Sequence, residues 1–136
     1  LESSAYGVRL IFDTYRKAGL HIDEVYVCGG IAQKNRLMMQ IYADVLGCSV
    51  HLSSSDQACA LGAAVLAAAA GGCHADLESA ISAMAAQPEA TLQPNPQHKT
   101  VYDQLYRIYN DAAHYFALQS DALHRLMALR RGKDTE

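Results

Sequence analysis

A paired-glycine turn is the part of the sequence whose residue types and spacing best suit ligand chemistry. It spans Cys28–Asn35 and reads CGGIAQKN. Gly29 and Gly30 have no side chains, so the backbone there can approach a ligand closely. Asn35 brings an amide for a polar ring edge, and Lys34 brings a positive charge. The turn is neither a G-x-G-x-x-G nor a Walker A motif, so a purely geometric role for the glycines stays open.

A second polar segment, Ser55–Gln57, precedes a run rich in Ala and Gly. Asp56 is of a type that acts as a ligand or a base. The favoured alternative is a helix N-cap, followed by a helix that packs closely on a sheet through its small side chains. The run Ala58–Gly72 is shorter than the roughly 20 apolar residues of a membrane-spanning helix. We therefore predict a buried helix and no membrane contact.

Other residues with metal-binding or nucleophilic chemistry show no recognised spacing. The 6 histidines contain no H-E-x-x-H pair, and the 4 cysteines contain no C-x-x-C pair. We therefore predict no metal site, and free thiols typical of a cytoplasmic protein. The formal net charge of -3 argues against nucleic acid as a partner. Basic residues cluster at the C-terminus, but acidic residues follow them; this set is Arg125, Arg130, Arg131, Lys133, Asp134 and Glu136.

The elements that position the turn follow from the hydrophobic pattern. It predicts helices over about 4–18, 34–46, 57–70 and 76–84, and strands over 24–28 and 49–53. This alternation predicts parallel strands joined by right-handed helical crossovers, with the turn at the carboxyl end of the first strand. Ligand crevices form at such strand ends. Two strands make a poor parallel sheet, and the sequence starts at Leu1 instead of Met, so we expect a piece of a longer protein.

The chain is predicted to have three parts. Residues 1–86 form the α/β part, and residues 87–97 form an extended loop that contains all 3 prolines. Residues 98–136 form a helical tail, with an interruption near Gln119 where Ser120 caps a final segment.

These segments together resemble the C-terminal part of the FGGY family of carbohydrate kinases. The strand and its Gly-Gly turn are followed by Met39–Gly47, which reads MQIYADVLG, and by Ala60–Ala64, which reads ALGAA. Within the family, the sequence is most similar to L-ribulokinases. That similarity rests on Gly29–Asn35, Ser55–Gln57, His74–Asp76 and the tyrosine-rich tail.

The resemblance implies a partial actin-like ATPase (ribonuclease H-like) fold, with the nucleotide in a cleft between two domains. It implies phosphorylation of the 5-hydroxyl of L-ribulose, a ketose, with ATP and Mg²⁺; xylulose and glycerol are alternative acceptors. It assigns Gly29, Gly30 and Asn35 to nucleotide binding. The family's catalytic aspartate and most sugar-binding residues precede this region, so no catalytic residue is assigned, and the chain by itself is expected to be inactive. The alternative is a non-catalytic module that self-associates as a homo-oligomer through an open sheet edge and the helical tail.

Overall fold

The computed structural model describes residues 1–85 and 87–130, and the chain divides into two compact units. The first unit covers Leu1–Pro96, and the second begins at Gln97. The elements, in chain order, are α1 (Glu2–Lys17), β1 (Glu24–Val27), α2 (Gly30–Lys34), α3 (Arg36–Leu46), β2 (Ser49–Leu52), α4 (Ala58–Ala70), α5 (Leu77–Met84), β3 (Ala90–Leu92), α6 (Pro96–His114), a π-helical segment (Tyr115–Gln119) and α7 (Ala122–Arg130).

Helix α1 ends where the sequence predicts, in a Schellman motif. Gly19 has a φ of 85°, and the N–H of Leu20 donates to the carbonyl of Tyr15 at 3.0 Å. No side-chain hydrogen bond caps its start. Ser4 Oγ donates to the Leu1 carbonyl at 2.6 Å, and the helix begins before it.

The three described strands form a mixed sheet in the order β1-β2-β3. Strands β1 and β2 are parallel, as predicted, with Val27 opposite Leu52. Strand β3 is antiparallel to β2 and pairs Leu92 with Val50. Its segment was predicted as an extended loop, which is wrong for Ala90–Leu92. A strand of 3 residues is too short to show a two-residue hydrophobic period.

The core of the first unit lies between one face of the sheet and α3. Val50 and Leu52 are 0% and 2% exposed, and they form one cluster with Met39 and Ala43 of α3. Strand residues alternate between faces, so the other face carries polar and aromatic side chains. Tyr26, which is 67% exposed, belongs to that face. Helix α3 thus covers one side of the sheet, and α1 packs against α3.

Helix α4 is exposed, although its composition predicts a buried helix. Val65 is its one buried residue, and the helix packs against α5. Leu66 is 59% exposed and borders an apolar groove between the two helices. The prediction was wrong because composition indicates that a helix has an apolar surface, but does not identify a partner to cover it. No helix among the described residues is both long and apolar enough to cross a membrane.

Up to residue 130 the second unit is helical, as predicted, and interrupted at the predicted place. The π-helical segment ends at Gln119, and Ser120 Oγ accepts from the Ala122 N–H at 3.2 Å. Lys99 and Asp103 form an ion pair of 2.7 Å on α6. The last residues of the C-terminal charged cluster, Arg131, Lys133, Asp134 and Glu136, lie outside the described residues.

Candidate functional site

The paired-glycine turn lies where two neighbouring strands end. The carbonyl of Val27, the last residue of β1, accepts from the Ser53 N–H at 2.9 Å, just beyond the end of β2. The loop after β1 and the loop after β2 therefore start side by side. This is the carboxyl edge of a parallel strand pair, where the sequence predicts a ligand crevice.

Gly29 adopts a conformation that glycine alone tolerates well. Its φ is 94° and its ψ is 167°, a region in which a Cβ clashes with the residue's own backbone. The glycine at this position is therefore required by the turn itself, whatever the turn binds.

Replacement of Gly29 by alanine is expected to lower the free energy of unfolding by about 1–3 kcal/mol, through backbone strain. Urea unfolding followed by circular dichroism measures the loss. Gly30→Ala is the matched control and should change stability by no more than about 0.5 kcal/mol, because Gly30 has an ordinary φ. Equal losses in both variants would contradict the strain argument.

Gly30 is not required by the conformation or packing of this chain. Its φ is not positive, it is exposed, and, apart from its chain neighbours and its own helix backbone, no heavy atom of the described residues lies within 4 Å of a Cβ added there. Its backbone faces open space at the carboxyl ends of β1 and β2. The conformation and packing of the described residues would therefore tolerate a Cβ at this position.

Asn35 ends one helix and caps the next. The helix predicted over about 34–46 corresponds to α3, and the short helix α2, which was not predicted, precedes it with Asn35 between the two. Asn35 Oδ1 accepts from the Met38 N–H at 3.0 Å, so its carbonyl serves as the N-cap of α3. The Nδ2 donor is the part of this side chain suited to a ligand acceptor. Helix α2 has only 5 residues, which is too short for its N-terminus to count as a ligand site. The feature of the turn that suits a ligand is therefore its open glycine backbone.

A groove of about 250 Å³ lies beside the turn. The residues that line it are Tyr26, Val27, Cys28, Ser53, Ala58 and Pro88. Its walls are mostly apolar, and such a groove next to an open backbone suits a planar ring. The sequence did not indicate Tyr26, Ser53 or Pro88 as site residues, because they come together only when the strands pair.

Tyr26 is held in place by its neighbours. Its hydroxyl donates to Glu24 Oε2 at 3.2 Å, and its ring stacks on His51 with centroids 4.6 Å apart. The hydrogen bond to Glu24, and then the charge of that carboxylate, raise the pKa of the Tyr26 phenol above its ordinary value. The phenol therefore stays neutral at physiological pH.

Asp56 is not the N-cap that the sequence predicts. Helix α4 begins at Ala58, its N-cap is Gln57, and no side chain caps it. Asp56 Oδ1 instead accepts from Gln33 Nε2 at 2.6 Å and so connects the two loops at the strand ends.

The described residues offer no ligand set for a metal ion. Within residues 1–85 and 87–130, no three His, Cys, Asp or Glu side chains lie close enough together to hold one. The Mg²⁺ that the resemblance implies therefore has no set of ligands among these residues. All four cysteines are free, and burial raises the pKa of the Cys48 thiol.

The sequence matches a known family over the region that contains the paired-glycine turn. Residues 1–71 match the C-terminal domain of the FGGY family of carbohydrate kinases. The chain is 40% identical over 134 residues to a ribulokinase of Bacillus licheniformis, covering 96% of this chain and 24% of that protein. It is 38% identical over 130 residues to a ribulokinase of Mycolicibacterium smegmatis, covering 96% of this chain and 23% of that protein. The chain thus spans about a quarter of the length of these relatives.

Solved structures share the fold. A xylulose kinase from Rhodospirillum rubrum aligns with a TM-score of 0.68 and 27% identity, covering 86% of this chain and 23% of that one. A Plasmodium falciparum glycerol kinase with ADP aligns with a TM-score of 0.70 and 23% identity, covering 88% of this chain and 23% of that one. These similarities confirm the predicted fold class, that of the FGGY sugar kinases with their actin-like ATPase fold.

Proposed function

The chain belongs to the FGGY family of carbohydrate kinases, and on that premise we propose that it provides the nucleotide-binding part of an ATP-dependent L-ribulose kinase. Identity of about 40% to ribulokinases supports L-ribulose as the acceptor. Xylulose and glycerol are the alternative acceptors, because kinases of both are among the structural relatives. A cytoplasmic location is part of the proposal, in line with the free thiols.

The observation that carries nucleotide binding is the open backbone at Gly30. A glycine that the chain's own conformation does not need lies beside an apolar groove at the carboxyl ends of parallel strands. In this proposal, the adenosine part of ATP lies against Gly29 and Gly30, and Asn35 Nδ2 donates to a ring acceptor. Phosphoryl transfer depends mainly on positioning and on stabilising charge, so these residues contribute by fixing one end of the nucleotide.

Titration calorimetry tests which part of the nucleotide is bound. If the turn holds the adenosine part, then ATP, ADP and adenosine should all give saturable heats, whereas inorganic triphosphate should give none. Triphosphate that binds as tightly as ATP would show a phosphate site instead. Absence of any heat with ATP and with adenosine would contradict the proposal.

The 136-residue chain by itself is expected to show no phosphorylation of L-ribulose. Phosphoryl transfer needs groups on both sides of the reacting phosphate, and most of the length of the related kinases lies outside the aligned region. A coupled assay for ADP release, with MgATP and L-ribulose, measures this. A full-length ribulokinase is the positive control, and ribulose-dependent ADP release by the chain would contradict the expectation.

Self-association is the second candidate function, and the sheet provides an observation in its favour. Among the described strands, β1 lies at one edge of the sheet and pairs with β2 alone. Unpaired strand edges are templates for pairing with another chain. Sedimentation velocity over a range of concentrations tests this candidate. A tight dimer that ATP does not affect would favour it over nucleotide binding.

A further inference from the structure

Two loops that are far apart in the sequence are connected by their side chains beside the paired-glycine turn. Gln33 Nε2, on α2, donates to Asp56 Oδ1 in the loop after β2, at 2.6 Å. The two residues are 23 positions apart in the chain. The acceptor is a carboxylate, and both side chains are accessible to solvent.

Each end of this hydrogen bond is attached to a part of the site. The backbone N–H of Gln33 donates to the Gly29 carbonyl at 3.3 Å, so Gln33 is tied directly to the turn. On the other side, the loop that carries Asp56 is ordered by its own serines. The Ser55 N–H donates to Ser53 Oγ at 3.2 Å, and the Gln57 N–H donates to Ser55 Oγ at 3.2 Å. Asp56 is therefore a fixed point from which Gln33 restrains the turn.

We propose that Gln33 and Asp56 are a positioning pair that holds the paired-glycine turn in its nucleotide-receiving conformation; this rests on the proposed function. Glycine loses more conformational freedom on ordering than any other residue. A turn with two adjacent glycines is costly to order when a ligand arrives, and a restraint made in advance lowers that cost. The pair acts through the turn and needs no contact with the nucleotide.

Alanine variants and a conservative variant separate this role from the alternatives. Gln33→Ala and Asp56→Ala are each expected to weaken ATP binding about fivefold, and the double variant should bind no worse than either single variant. Asp56→Asn keeps an Oδ1 acceptor without the charge and should restore most of the affinity. Ser49→Ala is the matched control, because it breaks a 3.0 Å side-chain bond to Gln93 at the other end of β2.

A second measurement does not depend on nucleotide binding. The ¹⁵N relaxation of Gly29 and Gly30, recorded on the ligand-free chain, should show greater mobility in Gln33→Ala and in Asp56→Ala. In Ser49→Ala the mobility of both glycines should be the same as in the unaltered chain. Unchanged relaxation would overturn the positioning role, as would additive losses of affinity in the double variant. Failure of Asp56→Asn to restore affinity would overturn it in favour of a direct role of the carboxylate charge. If the unaltered chain binds no ATP but the relaxation changes as expected, then the proposed nucleotide-binding function is wrong. The conclusion that Gln33 and Asp56 restrain the paired-glycine turn would still hold.

Discussion

Replacement of Gly30 by valine is expected to weaken ATP binding by roughly 10- to 100-fold, the range that a steric conflict in a packed contact produces. A Cβ added at Gly30 meets no atom within 4 Å among residues 1–85 and 87–130, apart from its chain neighbours and helix backbone, and the φ at Gly30 is ordinary. Stability should therefore change by no more than about 1 kcal/mol. A large loss of affinity with little loss of stability is the signature of a glycine kept for a ligand. Titration calorimetry and urea unfolding of the same preparation measure both quantities.

Gly62→Val is the matched control for this experiment. Among the described residues, Gly62 also has no neighbour beyond its own helix backbone within 4 Å of an added Cβ, but it lies on α4 and lines the apolar groove between α4 and α5. ATP affinity should be unchanged in this variant. Equal affinities of Gly30→Val and the unaltered chain would show that the nucleotide does not approach the turn.

Replacement of Asp44 by alanine is expected to lower the free energy of unfolding by about 3 kcal/mol, as for other buried acceptors of charge-assisted hydrogen bonds. Asp44 is 4% exposed and lies on α3. Its Oδ1 accepts from Gln40 Nε2 at 2.8 Å and from the Asn95 N–H at 2.7 Å. The carboxylate thus ties α3 to the segment after β3, and its removal takes away the acceptor for a backbone N–H.

Asp44→Asn is the conservative comparison, because its carbonyl can still accept from Asn95. The free energy of unfolding that Asp44→Asn loses should be about half of the loss in Asp44→Ala. Urea unfolding measures both losses. A loss below about 1 kcal/mol in Asp44→Ala would contradict a structural role of this carboxylate.

The sequence predicted the features that depend on neighbouring residues. The strand Glu24–Val27 and its glycine turn were found because β-branched residues and glycines follow each other within a few positions. The end of the first helix at about residue 18 was also predicted, and α1 ends at Lys17. The order of helices and strands in the α/β part then placed the turn correctly at a strand end.

The features that the sequence did not reveal depend on distant residues. Strand β3 exists because β2 pairs with it, and nothing within its few residues indicates a strand. Helix α4 is exposed because α5 is the element that packs against it and covers only part of its surface. The bond between Gln33 and Asp56 needs two loops to meet, and the N-cap pattern at Asp56 pointed to a local role instead. Long-range contacts of this kind leave no periodic signal in a single sequence.

The central claim is that the paired-glycine turn binds the nucleotide. Titration of the ¹⁵N-labelled chain with ATP, followed by the amide chemical shifts, tests it most directly. We expect saturable shift changes centred on Gly29, Gly30 and Asn35, with the groove residues Cys28 and Ser53 next in size. Shift changes confined to another region, such as α5, or no saturable change at the turn, would contradict it.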